Sequence, residues 1–171
     1  VLKVKYQLVH ISTGDVFRYN IKNQTQLGTQ AKSYMDKGHL VPDGVTIKML
    51  KAEVEKNPEA NGFVFDGFPR SAAQAEALAI LMEEKSSQIN AMVALEVDDE
   101  VLVGRLLERG KTSGRADDAD EAIIRERVAE YYRKTDILKD FYKGKDRYFG
   151  VNGVGTIQEI TARLSEVFDR L

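Results

Sequence analysis

Cysteine is absent from this chain of 171 residues, and so are long apolar runs and any strong excess of one charge sign. The lack of cysteine excludes disulfides and thiolate metal sites and is compatible with a reducing compartment. No apolar run approaches the ~20 residues that a membrane helix needs, and the sequence shows no signal-peptide pattern. With 25 basic and 27 acidic side chains, no overall field favours nucleic acid or an anionic membrane. Anion binding must therefore depend on local clusters of arginine.

Groups typical of metal sites and nucleophilic catalysis are scarce as well. The two histidines, His10 and His39, have no second histidine or carboxylate at ligand spacing, so each is predicted to pack or to form hydrogen bonds. No Ser/His/Asp or Cys/His set is recognisable. The chain is 43% hydrophobic and 30% charged, a composition that predicts one well-buried globular domain.

One short stretch, residues 62–70 with the sequence GFVFDGFPR, is the centre of the candidate site. Its apolar run, flanked by glycines, is typical of a strand buried on both faces. Ligands bind at the carboxyl ends of strands in parallel sheets, so Asp66, Gly67 and Arg70 are well placed for chemistry. The alternative is an ordinary strand-to-helix turn with solubilising charges.

Strands and helices alternate along most of the chain. Strands are predicted at residues 8–12, 62–65, 91–97 and 148–151, and long helices at 72–85 and 120–142. This alternation predicts an α/β fold of three layers, a mostly parallel sheet with helices on both faces. Helices alone fill residues 16–57, which predicts a small helical insertion there. Asp43 is predicted to cap a helix, Thr156 to cap the last one, and residues 110–118 to form a polar loop.

Arginines at strand ends, at helix ends and beside this loop form a second feature: Arg70, Arg105, Arg109, Arg115 and Arg127. Arg105 and Arg109 are four residues apart and project from one helix face, and loop movement could bring Arg115 and Arg127 towards that face. Guanidinium groups suit phosphate oxygens, so the cluster predicts a polyanionic ligand. The alternative is that Arg105 and Arg109 pair with Glu108 and neighbouring acids.

The acidic residues near these arginines have two kinds of predicted role. Asp66 could organise Mg²⁺ through water, because this ion binds through one or two carboxylates and keeps much of its hydration shell. Asp117 and Asp118 are predicted to be structural, either as salt-bridge partners within the loop or as charges at a helix start.

Longer motifs follow in order: HISTGDVFR (10–18), KGHLVP (37–42), DGFPRSAAQ (66–74), RLLERG (105–110), SGRADD (113–118) and IIRERVAEYY (123–132). In this order and spacing they resemble the adenylate kinases of the nucleoside monophosphate kinase family. The resemblance covers the whole chain and implies a P-loop NTPase-like domain over residues 1–171. Residues 13–42 would be a helical AMP-binding insertion and residues 110–120 a short lid without zinc.

The resemblance also implies roles for individual residues. Arg18 and Arg70 would bind the phosphate of AMP, and the whole AMP site would comprise Thr13, Arg18, His39, Leu40, Val41, Gly67, Phe68, Pro69, Arg70, Gln74, Arg115 and Arg127. Arg109 and the backbone of Gly155 would contact ATP. The catalytic groups would be Arg70, Arg105, Arg109, Arg115 and Arg127. Mg²⁺ would accompany ATP, with Asp66 holding it through water.

The implied reaction is reversible transfer of the terminal phosphoryl group of Mg-ATP to AMP, giving two ADP. Thr13 and Gln74 favour AMP, because a Gln amide offers adenine both a donor and an acceptor, whereas UMP/CMP kinases tend to carry Ala and Asn there. A UMP/CMP kinase and a non-catalytic nucleotide-binding protein are the alternatives. The monophosphate that is phosphorylated distinguishes the first, and the absence of turnover the second.

The family's first strand and its GxxxxGK phosphate loop are expected just upstream of residues 1–6. We therefore expect the sequence to be part of a larger enzyme. The resemblance further implies a cytoplasmic monomer whose partners are ATP, AMP and ADP. The balance of basic and acidic side chains predicts no binding of nucleic acid or of an anionic membrane.

Overall fold

A computed structural model describes residues 2–171, and Val1 lies outside the described residues. The strands are β1 (Val9–Ser12), β2 (Phe63–Asp66), β3 (Met92–Glu96) and β4 (Tyr148–Asn152). The helices are α1 (Leu2–Lys5), α2 (Thr13–Lys22), α3 (Gln26–Met35), α4 (Asp43–Glu55), α5 (Ala72–Glu84), α6 (Asp99–Ser113), α7 (Glu121–Lys134), α8 (Ile137–Lys143) and α9 (Ile157–Phe168). A 3₁₀ turn spans Ala116–Asp118. None of these helices is long and apolar enough to cross a membrane.

The four strands pair in parallel, as the alternation of strands and helices predicted. β1 runs beside β2 with Val9 opposite Phe63, and β3 runs beside β4 with Met92 opposite Tyr148. Among the described residues these are two separate ladders instead of one continuous sheet. The α/β class is confirmed, and each ladder brings the carboxyl ends of two strands together.

β2 is less buried than its sequence predicted. Phe63, Val64 and Phe65 are half-buried, so the prediction of a strand covered on both faces is wrong for the described chain. The physical reason is that β2 has one hydrogen-bonded neighbour, β1, among the described strands. The rings of Phe63 and Phe65 stack with their centroids 5.7 Å apart, which shields part of their apolar area.

Two hydrophobic clusters support the region around β1 and β2. The first packs α4 and α5 against this ladder through Ile11, Leu50, Val54, Phe68, Leu78, Leu81 and Met82. The second joins α2 and α3 to the segment before α4 through Phe17, Ala31, Val41 and Met49. Helices α2 and α3 thus share a small core with Met49 of α4, and the bounds of the helical insertion at residues 13–42 stay a prediction.

The predicted loop at residues 110–118 is largely wrong, because α6 continues to Ser113 and a 3₁₀ turn follows at Ala116–Asp118. Gly110 lies inside the helix, where a Cβ atom would stand 2.2 Å from the carbonyl oxygen of Asp118. The missing side chain therefore lets the returning chain pack directly on α6. Gly114 ends the helix in the left-handed conformation, with φ of 65°, which costs glycine little.

The predicted single helix at residues 120–142 is interrupted at Thr135 and Asp136. Both backbone N–H groups donate to the carbonyl oxygen of Tyr131, which ends the regular pattern. The Thr135 hydroxyl donates to the carbonyl oxygen of Arg70 over 2.8 Å. The break thus connects α7 and α8 to the segment between β2 and α5.

Of the two predicted helix caps, one is confirmed and one is wrong. Thr156 caps α9 and forms a reciprocal capping box with Glu159. At α4 the capping position is Pro42, and no side chain caps the helix. The Asp43 carboxylate instead accepts hydrogen bonds from Ser71 and Gln74, which lie beyond β2 and are out of reach of a local sequence pattern.

Candidate active site

The floor of the site is the turn that follows β2. Gly67 has a φ of 70°, and a Cβ atom there would lie 2.6 Å from Arg70 Nη2 and 3.2 Å from Thr13 Oγ1. The Gly67 carbonyl oxygen accepts hydrogen bonds from Thr13 Oγ1 at 3.0 Å and from Arg70 Nε at 2.8 Å. Three predicted site residues therefore meet at the carboxyl end of β2, and only glycine fits between the other two.

Arg70 stands in an environment that disfavours its own charge. Burial lowers the pKa of its guanidinium, the positive charges of Arg127 and Arg18 lower it further, and the attraction of Asp66 only partly offsets these effects. An arginine nevertheless keeps its proton. The Arg70 guanidinium at the turn after β2 is therefore a buried positive charge that a bound anion would stabilise.

Arg18 and Arg115 come from distant segments and meet at one carboxylate. Arg18 Nη2 donates to Asp15 Oδ1 at 2.7 Å, and Arg115 Nη2 lies 3.6 Å from the same oxygen. The hydrogen bond from Arg18 is the main cause that lowers the pKa of Asp15. Sequence reasoning missed Asp15, although it lies within the quoted HISTGDVFR motif. Its carboxylate holds the predicted lid against α2.

Arg109 and Arg127 share a second, fully buried carboxylate. Arg109 donates to Asp118 from Nε at 2.6 Å and from Nη2 at 3.0 Å, and Arg127 Nη1 donates to the same group at 2.5 Å. Asp118 is 0% exposed. Burial alone would raise its pKa, but the bonds from Arg109 and Arg127 outweigh this and hold the pKa below its usual value. Asp118 is therefore structural, as predicted, and orients both arginines.

The alternative partner predicted for Arg105 and Arg109, Glu108, pairs with Lys111 instead. Arg105 lies apart from Asp118, and its Nη1 donates to the carbonyl oxygen of Gly153 at 2.7 Å. The same loop after β4 carries Gly155, whose φ is 132°. The structure thus brings Arg105 to the loop predicted to lie beside adenine of ATP, and not into the Arg109–Arg127 pair.

Replacing Asp118 with asparagine tests its structural role. The change is expected to lower the free energy of unfolding by about 2 to 3 kcal/mol at pH 7, at the low end for a broken buried pair because Arg109 is partly exposed. The folded-state pKa of Asp118 lies below its unfolded value of about 3.9, so the carboxylate stabilises the fold above that pH and loses its effect as pH falls through the folded pKa. Denaturant titrations should show the two proteins converging below about pH 4. A constant difference down to acid pH would contradict this role.

The connector of His39, Leu40 and Val41 packs against α7. His39 Nε2 lies 3.4 Å from Glu126 Oε1, and the Leu40 N–H donates to Glu130 Oε1 at 3.5 Å. Glu130 is buried, which alone would raise its pKa, but bonds from Lys134 and Arg133 outweigh burial and lower the pKa to about 2. Val41 is buried in the cluster around Phe17. An ionised Glu130 thus holds the connector in place.

Gln74 lies one helical turn beyond Arg70 and is 2% exposed. Its Oε1 accepts a hydrogen bond from the Arg70 N–H at 2.8 Å, and its Nε2 donates to Asp43 Oδ1 at 2.7 Å. Phe68 and Pro69 lie in the turn between β2 and α5, and Phe68 is buried in the core. Contact between Gln74 and a nucleotide base stays a prediction.

Asp66 suits a water-mediated magnesium site. Its side chain, at the end of β2, is 64% exposed, and His10 Nε2 lies 3.4 Å from its Oδ2. A lone, accessible carboxylate leaves room for a hydrated Mg²⁺ ion, which needs few protein ligands. Within residues 2–171, no three His, Asp or Glu residues gather as a direct metal site. His10, predicted to pack or to form hydrogen bonds, lies beside Asp66.

Comparison with known proteins agrees with these motifs. The sequence model of the adenylate kinase family matches residues 1–147. The chain is 61% identical over 170 residues to the adenylate kinase of Flavobacterium psychrophilum and 55% identical to that of Flavobacterium johnsoniae, with 99% of the chain and 90% of each relative covered. An adenylate kinase of a Synechococcus strain is 48% identical, with 96% of the chain and 86% of the relative covered. Family model and relatives agree over nearly all of the sequence, and the chain therefore belongs to the adenylate kinase family.

Proposed function

We propose that the chain catalyses reversible phosphoryl transfer from Mg-ATP to AMP, which yields two ADP. The observation that carries this proposal is the convergence of arginines from four segments around the turn after β2. The positive charges of Arg127 and Arg18 are close enough to lower the pKa of Arg70. Arg18 and Arg115 both contact the carboxylate of Asp15. Phosphoryl transfer needs little covalent help, so positioning and charge stabilisation by such groups supply most of the catalysis.

Acceptor binding is proposed at the turn after β2. Arg70 and Arg18 bind the phosphate of AMP, and the base lies near Gln74, Thr13 and the connector of residues 39–41. Support comes from the buried positive charge of Arg70, since a phosphate dianion offers two negative charges and several acceptor oxygens. Arg18 bonds to Asp15 through Nη2, and its guanidinium has further N–H donors that can bind the phosphate of AMP.

Donor binding is proposed beside Arg109 and the Gly155 loop, with Arg105 holding that loop through Gly153. Mg²⁺ carried by ATP, and held through water by Asp66, supplies neutralisation of negative charge on the phosphates. Arg109, Arg115 and Arg127 stabilise the charge on the transferring group. Asp118 supports this assignment because it fixes Arg109 and Arg127 relative to each other before any nucleotide binds.

Lid movement is proposed to accompany each turnover. Residues 110–120 close over the phosphates, residues 13–42 close over AMP, and closure excludes the water that would otherwise accept the phosphoryl group. The contact between Arg115 and Asp15 supports this, since it joins the two proposed mobile parts directly. Monomeric state and cytoplasmic location are proposed from the family resemblance alone.

A ³¹P NMR experiment on the full natural protein tests the reaction. With Mg²⁺ and ADP as the only nucleotide, we expect ATP and AMP to form in equal amounts, with no inorganic phosphate. With Mg-ATP and AMP, ADP should form at twice the rate at which ATP disappears. Release of inorganic phosphate that does not depend on AMP would contradict phosphoryl transfer, and the absence of any turnover in a folded sample would favour a binding protein.

A further inference from the structure

Asp43 and Gln74 form a contact that the reaction itself does not require. Asp43, at the start of α4, accepts hydrogen bonds through Oδ2 from Ser71 Oγ at 2.9 Å and through Oδ1 from Gln74 Nε2 at 2.7 Å. The other end of the Gln74 amide accepts from the Arg70 N–H at 2.8 Å. The two ends of one buried amide therefore contact two partners of opposite character.

These partners allow only one orientation of the amide. An ionised carboxylate can only accept and a backbone N–H can only donate, so turning the amide over would set oxygen against oxygen and N–H against N–H. Gln74 is 2% exposed, so water cannot satisfy the mismatched groups, and a buried polar group without a partner is costly. Asp43 thus keeps the Gln74 amide in one orientation, with Nε2 towards Asp43 and Oε1 towards the Arg70 N–H.

A fixed amide distinguishes bases that differ only in where their donors and acceptors lie. One N–H and one oxygen lone pair of Gln74 remain unused by Asp43 and Arg70. Adenine presents the N6 amino donor beside the N1 acceptor, whereas hypoxanthine presents the O6 acceptor beside the N1–H donor. An amide held in one direction complements one of these edges and opposes the other. The amide is covered in this structure, so a base reaches it only after local opening.

We propose that Asp43 is a positioning residue that sets the base preference of the acceptor site by holding the Gln74 amide in one direction. This rests on the proposed function, in which Gln74 contacts the base of the monophosphate.

The test compares AMP with IMP as acceptors of Mg-ATP in the full natural protein. Asp43→Asn keeps the shape of the side chain, but its amide can face either orientation of Gln74. We expect the ratio of kcat/KM for AMP to that for IMP to fall by about tenfold, in line with loss of one bidentate base contact. The change should appear mainly in KM for AMP, with kcat nearly kept. Should Asp43→Asn fold poorly, Asp43→Ala serves as a second variant and should lower the ratio in the same direction.

Matched variants separate this role from loss of stability. Ser71→Ala removes a helix cap and a bond to Asp43 but leaves the bond between Asp43 and Gln74, so the AMP-to-IMP ratio should stay within about twofold of that of the unaltered protein. In a Gln74→Leu background, Asp43→Asn should have no further effect on the ratio.

Two results would overturn the account, and they differ. If Gln74→Leu lowers the ratio and Asp43→Asn and Asp43→Ala do not, the positioning role of Asp43 is wrong while the proposed acceptor site stands. If Gln74→Leu itself leaves the ratio unchanged, the proposed contact between Gln74 and the base is wrong, and the role of Asp43 falls with it.

Discussion

Replacing Arg70 with alanine should lower kcat/KM for AMP by about 10²- to 10³-fold, the loss typical for a preorganised charge donor at a reacting group. The guanidinium lies at the turn after β2, where its Nε is held by the Gly67 carbonyl oxygen and its backbone by Gln74 and Thr135. These bonds fix the side chain before AMP binds, so no binding energy is spent on ordering it. Steady-state kinetics with AMP varied at saturating Mg-ATP measures the effect.

Charge and geometry of Arg70 can be separated by a second substitution. Arg70→Lys keeps the positive charge but loses the planar fork, and it should recover only part of the activity. Arg125→Ala is the matched control, because Arg125 is exposed and pairs with Glu100 and Glu121. It should stay within about twofold of the unaltered enzyme, as expected for an exposed ion pair. An Arg70→Ala enzyme with nearly normal kinetics would contradict the proposed acceptor site.

Replacing Arg127 with alanine should lower kcat by about 10²-fold while the fold survives. The substitution removes one donor to Asp118, but Arg109 still holds that carboxylate through two hydrogen bonds. The buried charge therefore keeps a partner, and the stability loss should be well below that of Asp118→Asn. Arg125→Ala again serves as the control, because Arg125 lies two positions earlier on the same helix and the substitution also replaces an arginine with alanine.

A split between rate and stability distinguishes the proposed role of Arg127 from a structural one. Single-turnover kinetics should show a slower chemical step, and thermal unfolding should shift little. If kcat stays near normal, or if it falls only in proportion to the folded fraction, Arg127 does not stabilise the transferring phosphoryl group.

The architecture was predictable where the sequence pattern is local. The short apolar run at β2 and the alternation of strands with helices predicted the parallel α/β fold, which the pairing of β1 with β2 and β3 with β4 confirms. The degree of burial of β2 was not predictable, because it depends on how many strands lie beside it. The hydrophobicity of a segment indicates how much apolar surface it can bury, but it does not indicate which strands and helices are present to cover that surface.

Long-range contacts explain the wrong local predictions. Asp43 is a residue type that often caps helices, but its carboxylate accepts hydrogen bonds from Ser71 and Gln74, which are 28 and 31 residues away. Thr135 interrupts the predicted long helix because its hydroxyl binds the backbone of Arg70, 65 residues away. Gly110 looks like a loop residue, yet it lies in α6, where the backbone of Asp118 packs against it. For Asp43 and Thr135 the deciding partner is distant in sequence, whereas Gly110 and Asp118 are close in sequence and meet because the chain folds back on α6.

Some features of the candidate site could also be predicted from the sequence, and others could not. Motif resemblance named the arginines and the Gly67–Arg70 turn, and the structure places Thr13, Gly67 and Arg70 in contact. The motif resemblance did not reveal that Asp15 contacts both Arg18 and Arg115. Nor did spacing separate Arg105 from Arg109, because two residues on one helix face can still reach different partners when one turn of helix lies between them.

The central claim is that the arginine cluster binds AMP and transfers a phosphoryl group to it. The most direct measurement is ADP formation by the full natural protein with Mg-ATP and AMP, UMP, CMP or GMP as the acceptor. We expect fast turnover with AMP and turnover lower by at least about tenfold with each of the others, because Thr13 and Gln74 suit a purine that carries its amino group at C6 beside an unprotonated N1. Equal or faster turnover with UMP or CMP would contradict the AMP assignment, and no turnover with any acceptor would contradict the role of the cluster in transfer.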